Sequence, residues 1–329
     1  MKRLTFFGFI CVLVMFCFAA TDSREALAKQ TVLKLGHINP PGGTIDKQSQ
    51  KFKELVEAKT NGQVRIDVYP ASQLGKIREI LEGISMGTVD MTVEGVGMLA
   101  HFDKDLNFFN APFMYMNIEA FMVDPYLMEV LERIRKKTGI KMLSHNGVRP
   151  PFHLFTKTKP VQSLEELKGV KLRMPPVKAF VDVWNGLGAI AVAIPWSEVY
   201  MALSQNVVDG MAHNFLQIRD MKFYEQLNYA TLLAFKPVVN AVWITDSKYK
   251  SFSPEIQKSL KEAAIESGEY FTELAVTENK KAREQLESAG IKVFTINKEP
   301  WFEKARAVHR KLEEGGAWSK GMLDKVNPD

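Results

Sequence analysis

The chain has 329 residues, 46% of them hydrophobic and 25% charged, with a formal net charge of +5. That length buries a large core and suits two domains. Charges of both signs are interspersed, which argues against the basic stripe of a nucleic-acid surface and leaves a mild preference for small anions.

The first residues have the composition of an export signal. Lys2 and Arg3 precede an apolar run, and Ala26-Leu27-Ala28 reads as an A-x-A cleavage site. The run, Leu4 to Ala20, holds Thr5 and Gly8 and is shorter than the ~20 apolar residues of a retained span. Phe16 is too bulky to precede a lipidated Cys17. Residues 1–28 are therefore expected to be a cleaved signal peptide, placing the protein in the periplasm. Both cysteines, Cys11 and Cys17, lie inside it. The mature chain would then carry no disulfide, thiolate metal site or cysteine nucleophile. Cleavage would remove three basic and two acidic residues, taking the net charge to +4.

In chain order, VLKLGHI (32–38) predicts a strand, and residues from Thr44 to about Asn61-Gly62 a helix. VRIDVYP (64–70) is a strand stopped by Pro70, followed by a helix over about 76–87 and the strand VDMTVEG (89–95). This alternation implies βαβ units and a mostly parallel sheet. It restarts after residue 140 with IKMLSHNGV, HLFTK and VKLRM. A helix near 177–187, IAVAIP, a helix near 197–205 and VVDGMAHN complete it. GISMGTVDMTVEG (83–95) and ALSQNVVDGMAHN (202–214) form a weak repeat of helix end, small or amide turn, Val-Asp and strand.

A single helix is predicted over 253–290. Ser253 is a good N-cap, Pro254 suits the first helical position, and Gly290 suits the position after the last turn. Gly268 is the sole interior weak point, and two helices broken there are the alternative. Unbroken, the helix would be ~50 Å long and bridge two lobes. The expectation is an α/β clamshell whose lobes comprise 29–147 with about 238–270, and 148–237 with about 271–329. Strand crossings near 147 and 237 would serve as hinges.

Catalytic signatures fail on context. GISMG (83–87) matches G-x-S-x-G, yet Ser85 ends a helix before a strand, the reverse of a nucleophile elbow. GVGMLA (95–100) loosely matches a dinucleotide fingerprint, but no amphipathic helix follows to receive a pyrophosphate. The six histidines show no zinc-ligand spacing. No metal, cofactor or enzymatic activity is expected.

What remains is a convergence at strand ends. Arg173 closes KGVKLRMPP (168–176), and Asn214 closes VVDGMAHN. Arg149 leaves a crossing strand, and Trp196 follows Pro195. Glu94 and His37 end strands of the first lobe. Strand ends of a parallel sheet share one edge. An arginine fork, an amide and an aromatic wall are tools for holding an organic carboxylate.

The co-linear segments YPASQLG (69–75), GISMGTVDM (83–91), LKGVKLRMPP (167–176), PWSEVYMAL (195–203) and NVVDGMAHN (206–214) resemble the DctP-like solute-binding subunits of TRAP transporters. The resemblance spans about residues 31–315. It implies two α/β domains closing on an organic acid, with Arg173 pairing the carboxylate and Arg149 as a second arginine. Asn214 would hydrogen-bond the ligand, Trp196 would pack on it, and Glu94 and His37 would help to select it. It also implies two membrane partners, a small DctQ-like and a large DctM-like subunit. One departure stands out: V-D-G-Q-E-N-P of the family is VDGMAHNF here. His213 and Phe215 thus join the candidate ligand-binding residues, and with Trp196 and Phe108-Phe109 they lean the expected ligand toward an apolar or aromatic acid. A dinucleotide-dependent enzyme and a sensor-coupled binding protein are the alternatives.

Overall fold

The structure, a computed structural model, describes residues 30–326. The expected signal peptide and both cysteines lie outside the described residues. In chain order the strands are β1 (Thr31–Gly36), β2 (Val64–Tyr69), β3 (Met91–Gly95), β4 (Ile140–Arg149), β5 (His153–Thr156), β6 (Lys171–Met174), β7 (Ile190–Ala193), β8 (Gly210–His213), β9 (Tyr229–Thr231), β10 (Val238–Thr245) and β11 (Lys292–Phe294). They form two sheets, ordered β2-β1-β3-β10-β4 and β11-β9-β5-β8-β6-β7. In the first, β1 runs parallel to β2 and β3, while β10 runs antiparallel to β3 and β4. In the second, β6 is parallel to β7 and β8, while β5 is antiparallel to β8 and β9. The chain crosses between the sheets three times, after β4, before β10 and along the long helix that leads from β10 to β11, and both sheets are mixed.

The repeat in the sequence has a structural cause. Asp90 accepts a hydrogen bond from the backbone N–H of Lys34 at 2.8 Å, and Asp209 accepts one from Lys171 at 2.9 Å. Each aspartate ties the entrance of one parallel strand (β3, β8) to its neighbour (β1, β6). The preceding turns need left-handed backbone, supplied by Gly87 (φ 77) in one lobe and Asn206 (φ 58) in the other.

The long helix is continuous from Pro254 to Ser288, 35 residues. Ser253 accepts the Ile256 N–H as its N-cap, and Gly290 follows at φ 106. Its first half lies on the first sheet: Ser144 donates to the Ala264 carbonyl at 3.0 Å, and Lys59 pairs with Glu266 at 2.8 Å. Its second half lies on the other lobe, where Arg219 pairs with Glu278 at 2.9 Å and the Leu216 N–H donates to Asn279. Gly268 marks the closest approach to β4, because a Cβ there would stand 2.2 Å from the Asn146 Oδ1.

Behind the cleft the lobes share apolar packing. Phe108 meets Trp318 edge-on at 5.6 Å, and Phe113 lies against Trp184 and Phe235. Phe108 and Phe109 are fully buried in this core.

Gly210 explains the glycine of V-D-G. A Cβ at this position would lie 2.2 Å from the Phe155 carbonyl oxygen on β5. Backbone cannot yield cheaply, so Gly210→Ala should destabilise the protein by about 1–3 kcal/mol, the ordinary cost of overpacking. Urea unfolding would register this as a lower midpoint with unchanged slope. An unchanged midpoint would refute the account.

Candidate ligand-binding cleft

A cavity of about 390 Å3 lies between the sheets. Glu94 and Arg149 reach it from the first sheet, and Arg173, Trp196 and His213 from the second. Five of the residues expected from the sequence thus line one cavity.

Arg173 is 3% exposed. It stands in register with Val192 on β7 and Met211 on β8, so its stem is built into the sheet. Its Nε donates to the Ile194 carbonyl at 2.9 Å, and its guanidinium lies over the Trp196 ring at 5.3 Å. These contacts fix the fork but leave both terminal nitrogens without a hydrogen bond among the described residues. No carboxylate there pairs with it. Burial without a counter-ion pushes the Arg173 pKa down to about 9, which leaves it charged at neutral pH.

Arg149 is in a different situation. Its Nη2 meets Glu94 at 2.5 Å, and its Nε donates to the Asn240 Oδ1 at 2.5 Å. Asn240 in turn donates to Gln48 at 2.9 Å. The three strands β3, β10 and β4 are adjacent, so this row of side chains crosses the sheet as one network. Glu94 also accepts the Gly95 N–H at 2.7 Å.

His213 stacks on Phe152 at 4.2 Å and lies against Trp196 at 4.8 Å. Burial pushes its pKa well below the usual imidazole range, and the Arg149 and Arg173 charges push in the same direction. It is a neutral aromatic ring at neutral pH.

Three expected residues lie off the cavity wall. Asn214 caps the helix Phe215–Asp220, accepting the Gln217 N–H at 2.9 Å, and its amide faces the Pro150 carbonyl. His37 pairs with Asp46 at 3.1 Å and accepts the Asn39 N–H. Phe215 packs edge-on against Phe155 at 5.1 Å in the core, where Met211 is also buried.

Several wall residues had no signal in the sequence: Lys76, Phe152, Phe180 and Gln217. Lys236 was missed as well. It is buried in a small side chamber sharing Gly97, Asn110 and Val238 with the main cavity, and its Nζ donates to the Phe109 carbonyl at 3.2 Å. Burial pushes its pKa down to about 7.

Two sets of polar contacts strap the lobes together. Lys76 of the first lobe pairs with Glu198 of the second. The N–H and hydroxyl of Thr44 both donate to Asp220 at 3.0 Å, and Gln217 donates to the Thr44 hydroxyl at 3.2 Å.

The motifs set aside in the sequence have structural roles. Gly97 of GVGMLA is required because a Cβ would stand 2.1 Å from the Asn110 Oδ1. Ser85 lies within the helix Ile77–Met86 and donates to the Thr138 carbonyl at 2.7 Å. Asp103 and Asp105 are taken up by Arg133 at 2.9 and 2.8 Å. Among the described residues no group of three or more metal-ligating side chains is assembled, and no helix is long and apolar enough to cross a membrane.

Buried neutral histidines make a pH prediction. Burial pushes His153 and His309 down to about 4; nearby Lys298 and Arg283 add to the effect at His153. The unfolded chain binds protons near pH 6.5, so it binds more than the folded chain between the two values. Stability should therefore be full above about pH 6.5 and fall as pH drops toward 4. Thermal unfolding across that range checks the sign; a midpoint that rises on acidification would contradict it.

Residues 35–315 match the sequence profile of DctP, the bacterial extracellular solute-binding proteins of family 7. The chain belongs to this family. It is 30% identical over 288 residues to a solute-binding protein of Roseobacter denitrificans, covering 85% of this chain and 86% of that one. It is 28% identical to the C4-dicarboxylate-binding periplasmic protein DctP of Rhodobacter capsulatus, covering 89% of each. Among solved structures, a TRAP periplasmic solute-binding protein of Roseobacter denitrificans with bound L-galactonate superposes with a TM-score of 0.81 at 26% identity, covering 91% of this chain and 98% of that one. Another from Pseudomonas putida F1, with bound D-glucuronate, gives 0.81 at 25% identity, covering 87% and 94%. The two-lobed α/β architecture is thus that of the DctP family, whose members are solute-binding proteins rather than enzymes.

Proposed function

We propose that this DctP-family protein is exported by cleavage of residues 1–28. In the periplasm it captures a small organic acid between its lobes and delivers it to a TRAP-type membrane pair, one small DctQ-like and one large DctM-like subunit. The observation that carries this reading is Arg173: a fully buried, immobilised guanidinium whose terminal nitrogens have no hydrogen bond and no carboxylate partner among the described residues, facing a cavity between the two lobes. Burying a lone charge is costly unless a counter-ion arrives. An organic carboxylate is that counter-ion, and it meets the fork with two parallel hydrogen bonds. Trp196 supplies an adjoining wall, and the Arg149–Glu94 pair supplies a polar floor with no net charge. This reading divides the chain into one lobe of 29–147 with about 238–270 and another of 148–237 with about 271–329, with the Lys76–Glu198 and Thr44–Asp220 contacts favouring the closed state.

Native mass spectrometry of the protein from its own periplasm should reveal a retained organic acid. Calorimetric titration of that acid into Arg173→Ala should show weakened binding. Undiminished affinity would refute the assignment.

A further inference from the structure

Charge accounting around the cavity narrows the ligand. Four cationic side chains line it: Lys76, Arg78, Arg149 and Arg173. Three already have partners, in Glu198, Glu82 and Glu94 respectively. Among the described residues, one unneutralised cation, Arg173, remains in the main wall; Lys236 sits in the side chamber, held by the Phe109 carbonyl. A second carboxylate on the ligand would find no free cation in the wall and would face the buried Glu94.

The surface beside that cation is aromatic. Phe152, His213, Trp196 and the Arg173 guanidinium form one continuous stack, with successive centres 4.2, 4.8 and 5.3 Å apart. Phe180 and Met98 add further apolar wall. Polyhydroxylated acids need donors and acceptors spaced along their length, because each buried hydroxyl left unpaired is costly. Of the wall's three amides, Asn110 already donates to Gly97 and Gln217 to Thr44. Besides Asn39 and Ser197, the unpaired polar atoms buried there are the Ser72 hydroxyl and two ring nitrogens, on Trp196 and His213, and both rings belong to the aromatic stack. Rings instead favour another ring, in offset or edge-to-face contact. Space is sufficient, since a cavity of roughly 150 Å3 already admits benzene and this one measures about 390 Å3.

We infer that the ligand is an aromatic monocarboxylate, held by its carboxylate on Arg173 and by its ring against the Phe152–His213–Trp196 stack. The inference rests on the binding function proposed above and specifies its substrate class.

The test is calorimetric titration of the extensively dialysed protein with phenylacetate, D-glucuronate and succinate. Phenylacetate should bind at least tenfold tighter than either of the others. Trp196→Ala should weaken it about tenfold, whereas Trp196→Phe, which keeps a ring, should stay within about threefold. Tighter binding of D-glucuronate or succinate, lost in Arg173→Ala, would overturn the inference and leave the proposed function intact. Binding of none of the three would also overturn it. If the protein from its own periplasm then carried no organic acid by native mass spectrometry, the proposed function would fall too.

Discussion

Replacing Arg173 with methionine should move stability and binding in opposite directions. In the ligand-free protein the substitution removes an unpaired buried charge and fills the space with an apolar stem of similar length, so the thermal midpoint should rise by a few degrees. Affinity for the carboxylate should fall by one to two decades, since a charge-assisted hydrogen bond contributes about 1.5–3 kcal/mol and each 1.4 kcal/mol is tenfold. Arg173→Lys should recover only part of that loss. A point ammonium cannot reproduce the planar fork that Ile194 and Trp196 hold in place. A binding residue built at the expense of stability gives this signature, and a purely structural arginine gives the reverse. Differential scanning fluorimetry and calorimetry on the same preparations read both halves. A fall in the ligand-free midpoint would show that Arg173 is structural.

Arg149 should behave in the contrary way. Arg149→Met leaves Glu94 buried and unpaired and strands the Asn240 Oδ1, so the protein should lose about 3–5 kcal/mol of stability. Glu94→Gln alone should also be costly, because it strands the arginine charge. The double substitution removes both charges together, and its cost should fall well below the sum of the two singles. Urea unfolding of the four proteins of that cycle provides the coupling energy. Additive losses would mean that the 2.5 Å contact between the two side chains contributes nothing. Two arginines lining one cavity thus have separable jobs: one holds the floor together and the other waits for a guest.

Most of the architecture was legible because the chain obeys its local rules. The helix Thr44–Lys59 stops just before the left-handed Asn61-Gly62, the strand Val64–Tyr69 stops at Pro70, and the long helix runs from its Ser253 cap to the left-handed Gly290. Gly268 did not break the long helix. Packing against Asn146 and the first sheet outweighed a propensity penalty of about 1 kcal/mol. The three-residue strands β9 and β11 were invisible, since so short a segment shows no period. At the cleft, Arg173 was legible from its place at the end of an alternating strand. Asn214 stands at an equivalent place, but an asparagine just before a helix is also a strong N-cap, and that local role claims its side chain. His37 was likewise claimed by Asp46. Lys236 and Phe180 could not be read because their neighbours come from distant parts of the chain, and nothing in AFKPVV distinguishes a buried lysine from a solvated one.

The helix Pro254–Ser288 has a mechanical consequence. It is clasped by Lys59 at Glu266 and by Arg219 at Glu278, on either side of its middle, with no break between. A rod of ~50 Å held near its middle acts as a lever arm: tilting it by about ten degrees sweeps each tip, ~25 Å away, through roughly 4 Å. Motion of a fraction of that size at the cleft mouth is therefore magnified on the outer face of the molecule, where a docking membrane protein could sense whether the jaws are shut.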